Sequence, residues 1–267
     1  MKTRLDKALV ERGLAGSRER AQALILAGRV LVAEQKVEKP GAPVAEGVAL
    51  RVLGEDLKYV SRGGLKLEGA IEHWGIQLAG RACVDVGAST GGFTDCMLQH
   101  GAASVLAVDT GYGQIAHALR VESRVTLRER CNARLLQRGE LVGQGTENRE
   151  QTGEMVGGIS FLAMDVSFIS ATLVLPAVAG ALVPEGATWR GEAVILIKPQ
   201  FEAGREYVGK GGIVREQAGR DLAIARVQQC VAELGATGVE VIDSPIHGME
   251  GNWEYLLHGW FGDAIKA

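Results

Sequence analysis

Two apolar runs in this chain each end on a single charged side chain. Ile159 to Met164 ends at Asp165, and Glu192 to Ile197 ends at Lys198. Strands buried on both faces of a parallel sheet read as such runs. An isolated charge at the end of a buried strand calls for a purpose, and a lysine there can serve as a base once it is neutral. A third run, Cys83 to Val86, carries Asp85 and opens into a turn with glycines at 87, 91 and 92. A fourth, Ser104 to Val108, ends at Asp109, 24 residues after Asp85.

Glycines at 87, 91 and 92 let the backbone take positive φ and let a ligand lie directly on its amides. The pattern becomes helical from Phe93, so the turn delivers a helix N-terminus at the carboxyl end of a strand, where open α/β sheets bind ligands. A carboxylate capping the neighbouring strand, as Asp109 would, accepts hydrogen bonds from a ribose. The dinucleotide pattern G-x-G-x-x-G is absent. Gly87-x-x-x-Gly91-Gly92 with Asp85 just before it resembles the S-adenosylmethionine (SAM) loop of class I methyltransferases. That resemblance implies SAM as cofactor, held by Asp85, Gly87, Ala88, Ser89, Thr90, Gly91, Gly92, Phe93, Asp109, Asn132 and Asp165.

The elements that must position these residues alternate strand and helix, the sign of a parallel sheet with crossovers. Helices are expected over Gly63–Trp74, carrying Lys66, over Gln114–Arg120 and over Glu216–Leu234. Further strands are expected at Val125–Leu127, Val239–Ile242 and about Trp253–Trp260. The charge-free stretch from Val166 to Pro184 reads as a loop plus a buried helix, too short to span a membrane. Gln137 to Gly158, poor in large apolar residues, reads as a surface insertion. The domain boundary falls near residue 60, giving domains 1–60 and 61–267.

Hydrophobic residues make up 46% of the 267 positions, enough for a large core and a small one, and the net charge is −3. The first 60 residues hold 11 Lys and Arg against 8 Asp and Glu; the remainder holds 18 against 24. Nucleic-acid affinity is therefore expected to start at the N-terminus. The cysteines at 83, 96, 131 and 230 form no C-x-x-C pair, and no signal-type apolar segment opens the chain, so a reducing, cytoplasmic setting is expected. Neither the cysteines nor the five histidines have metal spacing; the histidines read as surface or loop residues.

Residues 3–13 read as an amphipathic helix stopped by Gly13, and Ser17 reads as the N-cap of a second helix, Arg18–Ala27. Short strands follow at Arg29–Val32 and Val48–Val52. The wording L-D-x-A-L-x-x-x-G, S-R-x-x-A-x-x-L-I-x-x-G-x-V-x-V and K-P, from Leu5 to Pro40, resembles the S4 RNA-binding domain, a small α+β module. By position, that resemblance sets Arg4, Lys7, Arg18, Arg20 and Arg29 against RNA phosphates, with Asp6 and Glu19 interrupting the charge.

Lys66, Asp165, Lys198 and Glu254 match, in order and surroundings, the K-D-K-E tetrad of ribose 2′-O-methyltransferases. The fuller wording S-R-G-G-x-K-L, D-V-G-A-S-T-G-G-F-T, V-D-T-G-Y-G-Q, D-V-S-F-I-S, K-P-Q-F-E-x-G and G-N-x-E-Y resembles the TlyA family, whose older members are called haemolysins. The fold implied is a Rossmann-like, FtsJ-like α/β methyltransferase domain behind an S4 module. The activity implied is SAM-dependent methylation of a cytidine ribose in ribosomal RNA or ribosomal subunits, with no metal. Lys198 is the expected general base and Lys66 the cation beside it, with Asp165 and Glu254 holding the two lysines. Glu250, four residues before Glu254, competes with it. The target nucleotide must swing out of its helix to be reached, at a cost of about a few kcal/mol.

Two other functions are weighed against this one. A non-catalytic RNA-binding assembly factor would keep the fold without the tetrad, and a membrane-lytic protein would need a spanning segment. Gly204 to Lys210 has the G-x-x-x-x-G-K spacing of a phosphate loop, but Gly211 stands where the metal-binding Ser or Thr belongs. That basic, glycine-rich loop is instead a candidate RNA contact.

Overall fold

The computed structural model describes residues 2–53, 58–143, 158–248 and 251–262. It divides into two compact units, Met1–Asp56 and Leu57–Ala267.

In the N-terminal unit the order is β1 (Lys2–Arg4), α1 (Leu5–Glu11), α2 (Arg18–Leu26), β2 (Val30–Val32), β3 (Gln35–Lys36), β4 (Pro43–Ala45) and β5 (Leu50–Val52). The first helix starts later than its apolar pattern suggests, because Lys2–Arg4 is extended and pairs antiparallel with Pro43–Ala45. The returning chain also satisfies amides that a helix start leaves without partners: Leu5 N–H donates to the Ala42 carbonyl and Asp6 N–H to that of Pro40. Ser17 caps α2 by accepting from the Arg20 amide. Leu5, Leu9, Leu24, Ile25 and Val30 fill a core of their own.

The C-terminal unit holds α3 (Gly63–Trp74), β6 (Ala82–Val86), α4 (Gly92–Gln99), β7 (Ser104–Val108), α5 (His117–Arg120), β8 (Val125–Arg128), β9 (Phe161–Met164), α6 (Ala171–Ala181), β10 (Gly191–Ile197), α7 (Pro199–Glu202), α8 (Gln217–Glu233), β11 (Ala236–Asp243) and β12 (Tyr255–Phe261). Its seven strands lie in the order β11-β12-β10-β9-β6-β7-β8. Five neighbours, β10 to β8, run parallel. The sheet is not parallel throughout, since β12 runs antiparallel between β10 and β11. The strand order reverses direction between β6 and β9, the switch point at which α/β sheets open a crevice.

Several local expectations are corrected. Helix α5 starts three residues late because Ala116 N–H is tied to the Thr90 carbonyl in the glycine loop. His258 is not a surface residue: it is buried in β12, its ring 2.9 Å from Glu192 and stacked on Trp74. Just before α3, Tyr59 is buried and donates to Glu68. In the expected insertion, residues 138–143 form turns, and 144–157 lie outside the described residues, as does Glu250. Among the described residues no helix is long and apolar enough to cross a membrane.

Candidate active site

Strand register brings the tetrad together. Val86 pairs with both Val108 and Met164, so Gly87, Asp109 and Asp165 all follow at the same level of the sheet. Ile197 pairs with Tyr255, which sets Lys198 opposite Glu254 at the same edge. Because β12 is antiparallel, its beginning meets the ends of its neighbours. Lys66 arrives from the first turn of α3.

Lys66, Asp165, Lys198 and Glu254 all line one cavity of about 600 Å³. Lys66 Nζ lies 2.5 Å from Glu254 Oε2, and Lys198 Nζ lies 2.5 Å from Asp165 Oδ1. Both lysines and Glu254 are buried. A buried charge is tolerated only with such a partner. Lys198 Nζ also donates to the hydroxyl of Ser167 at 2.7 Å. Among the described residues no group of three or more His, Cys, Asp and Glu could hold a metal ion.

Of the residues expected at the cofactor, Gly87, Ala88, Ser89, Thr90, Gly92, Phe93 and Asp165 are on the cavity wall, and Asp85, Gly91, Asp109 and Asn132 are not. A Cβ on Gly87, whose φ is 87°, would overlap the Asp165 carbonyl, so only glycine lets the loop pass the end of β9. Gly91, at φ 95°, is closed off instead by Leu119 and Ile115, which a Cβ would strike. Asp109 accepts from the amides of Ser89 at 2.7 Å and Gly111 at 2.6 Å, and lines a small cleft that shares Ala88 and Ser89 with the main cavity. Asn132 caps a short turn by accepting from the Arg134 amide.

Asp85 lies beneath the loop, fully buried, and accepts from the Thr94 hydroxyl at 2.6 Å in the first turn of α4. Among the described residues its other oxygen has no hydrogen-bond partner. Burial, opposed by the Thr94 bonds and reinforced by Asp165 and Asp109, pushes its carboxyl up to about 7. It bridges the two ends of the glycine loop, from β6 to α4.

The cavity also takes residues that the sequence reading passed over: Ser61, Ser167, Phe168, Gln200 and Phe201. All but Ser61 sit directly after a strand end already singled out, in D-V-S-F and K-P-Q-F, and that adjacency was the available signal. Phe168 is 92% exposed at φ 64°, a conformation strained for a bulky side chain, with its ring 5.4 Å from that of Phe201. Glu202, buried at the end of α7, fixes the loop between β9 and α6 by accepting from the Ser170 hydroxyl and the Ala171 amide.

In the N-terminal unit, Asp6 gathers the expected RNA contacts instead of interrupting them. It is fully buried and accepts from Arg4, Arg18 and Gln22. The Arg4 hydrogen bond, ahead of burial, holds its carboxyl well below the usual carboxylate range. Arg4 and Arg18 keep more than half of their side-chain surface exposed. Lys7 pairs with Glu11, and Arg29 donates to the Leu53 carbonyl. Arg20 is half-buried, and its backbone amide completes the Ser17 cap.

Comparison with known proteins agrees with this geometry. Residues 59–261 match the model of the FtsJ-like methyltransferases, and residues 3–50 that of the S4 domain. The chain is 43% identical to the Bacillus subtilis protein named "Putative rRNA methyltransferase YqxC", over all of its own length and 89% of that relative. It is also 43% identical to the "16S/23S rRNA (cytidine-2'-O)-methyltransferase TlyA" of Mycobacterium tuberculosis, over 96% of this chain and 89% of that one. Among solved structures, the "Putative hemolysin from Streptococcus thermophilus" superimposes with a TM-score of 0.69 at 39% identity, covering 98% of this chain and 90% of the other. With the strand order, the glycine loop and the two lysine–carboxylate pairs, these matches show that the chain belongs to the TlyA family of S4-containing, FtsJ-like methyltransferases.

Proposed function

We propose that the chain methylates the 2′-hydroxyl of a cytidine ribose in ribosomal RNA, using SAM and with Lys198 as general base. The observation that carries this reading is that both lysines, each held by its own carboxylate, face the cavity whose wall is the glycine loop. The names of the Bacillus and Mycobacterium relatives support the substrate class.

The residues present fit SAM: the loop presents Gly87 to Thr90, Gly92 and Phe93 as cavity wall, Asp109 stands one strand over, and about 600 Å³ suits a ligand of that size. Bound there, SAM supplies an electrophilic methyl group on a sulfonium. Gly87 to Phe93 and Asp109 would hold it. The protein's own work is on the hydroxyl. Lys198, fixed by Asp165 and Ser167, accepts as its free amine the proton that the hydroxyl loses as it attacks. Lys66, fixed by Glu254, donates to the oxygen and orients it. Positioning of this kind supplies a large share of the rate. Phe168, exposed at the cavity mouth, offers a stacking face to a base swung out of its helix. On the RNA side, Arg4, Lys7, Arg18, Arg20 and Arg29 would meet phosphates.

The test is Lys198→Ala. Calorimetry should find SAM binding unchanged and filter binding should find RNA affinity unchanged, while transfer of labelled methyl to ribosomal RNA falls by roughly 10²–10⁴. Turnover at the wild-type rate would remove Lys198 from the base role.

A further inference from the structure

We propose that the catalytic unit carries an RNA-docking face of its own, a cationic and aromatic rim that runs along one side of the cavity. This rests on the reading of the chain as an RNA methyltransferase and adds a second contact surface to it. The rim runs through Lys210, Arg215, Arg220, Trp253, His247 and Arg62, and its members are joined by direct contacts. Arg215 donates to the Lys210 carbonyl at 3.4 Å, and Arg220 to the Arg215 carbonyl at 2.6 Å. The Arg220 guanidinium lies 5.8 Å from the centre of the Trp253 ring, which His247 meets edge-on at 4.9 Å. Arg62 donates to the His247 carbonyl at 3.3 Å, and Arg62, His247, Gly211 and Gly212 are also cavity wall.

The charges on this rim are not balanced. Several arginines elsewhere in the unit are tied to carboxylates: Arg81 to Glu192, Arg120 to Glu129, Arg124 to Glu122. Among the described residues, Arg62, Lys210, Arg215 and Arg220 make no ion pair; Arg62, Arg215 and Arg220 donate to carbonyls, and Arg220 also bonds Gln217 and the Tyr255 hydroxyl. Asp221, close by in sequence, accepts from Gln217 instead. Lys210, Arg215, His247 and Arg62 are exposed, and Trp253 is 46% exposed. Unpaired cations around an exposed indole are what a single strand asks for: phosphates take the cations, and an unstacked base takes the ring. The rim is continuous with the wall against which the ribose reacts, so the nucleotides flanking the target are the segment it fits.

The experiment uses the full chain and purified ribosomal RNA, with Kd followed against salt. Lys210→Ala with Arg215→Ala should weaken binding about tenfold and flatten the log–log salt slope by roughly 1.5, two phosphate contacts' worth. Trp253→Ala should weaken binding with the slope unchanged. SAM affinity should stay at the wild-type value in all variants, and Lys210→Arg with Arg215→Lys should restore RNA binding. A double alanine variant with wild-type affinity and slope overturns the proposal while leaving the methyltransferase reading intact. A variant that binds naked RNA normally but ribosomal subunits weakly also overturns it, assigning the face to a ribosomal protein. Absence of any RNA binding or methylation by the wild-type chain would bring down the reading beneath it.

Discussion

Asp6 in the N-terminal unit and Asp85 in the C-terminal unit are both fully buried carboxylates, yet their environments drive them in opposite directions. Asp6 sits under two guanidiniums and an amide, and its acidity is strengthened. Asp85 has one hydroxyl and the first turn of a helix, with two other carboxylates nearby, and burial pushes its carboxyl up to about 7. Burial sets how much is at stake; the partner sets the sign.

The largest effect that would break this contrast concerns stability against pH. The raised carboxyl of Asp85 keeps its proton in the folded chain up to about 7, whereas an unfolded aspartate loses it near 3.8. Its penalty therefore grows as pH rises between those values and is complete above them. Asp85→Asn should remove that slope, a differential on the order of 4 kcal/mol between pH 4 and pH 8. Denaturant midpoints of variant and wild type across this range check it, and parallel curves would refute it.

Asp6 should behave in the opposite way. Its contribution is present above the unfolded value of 3.8 and is lost as pH falls toward the folded one. Asp6→Ala should cost about 1–3 kcal/mol through the abandoned donors of Arg4, Arg18, Gln22 and the Lys7 amide, and it should weaken RNA binding more than Arg4→Ala does, because Arg18 is released as well. Equal RNA affinities for the two variants would show that the carboxylate does not organise the arginines. The smallest expected change is at Ser167. Ser167→Ala removes one donor–acceptor contact to Lys198 and should lower kcat about tenfold at unchanged KM. A rise in KM alone would place the hydroxyl in substrate binding.

The strand ends were legible because parallel strands covered on both faces leave an uninterrupted apolar signal, so a charge at their terminus stands out. Asp165, Lys198 and Asp109 were visible for that reason. Strands so short carry little period, and β1, β3 and β4 went unseen: β1 and β4 form by pairing with each other across distant chain, and β3 is a two-residue return onto β2. Asp6 looked like an interruption because a linear reading cannot tell an exposed carboxylate from one enclosed by Arg4, Arg18 and Gln22. His258 was taken for a surface residue on similar grounds, since its partner Glu192 opens a strand 66 positions earlier. Among cavity residues, Phe168 was hidden by its backbone: positive φ at a phenylalanine has no sequence signature.

The contact between Lys66 and Glu254 spans 188 positions. During synthesis the lysine emerges with the start of its unit, and its carboxylate follows only when the final strand is made. Loop closure over such a distance comes late, after the local elements have formed. A nascent or truncated chain that stops short of β12 therefore holds a partly built donor pocket and an unanchored ammonium.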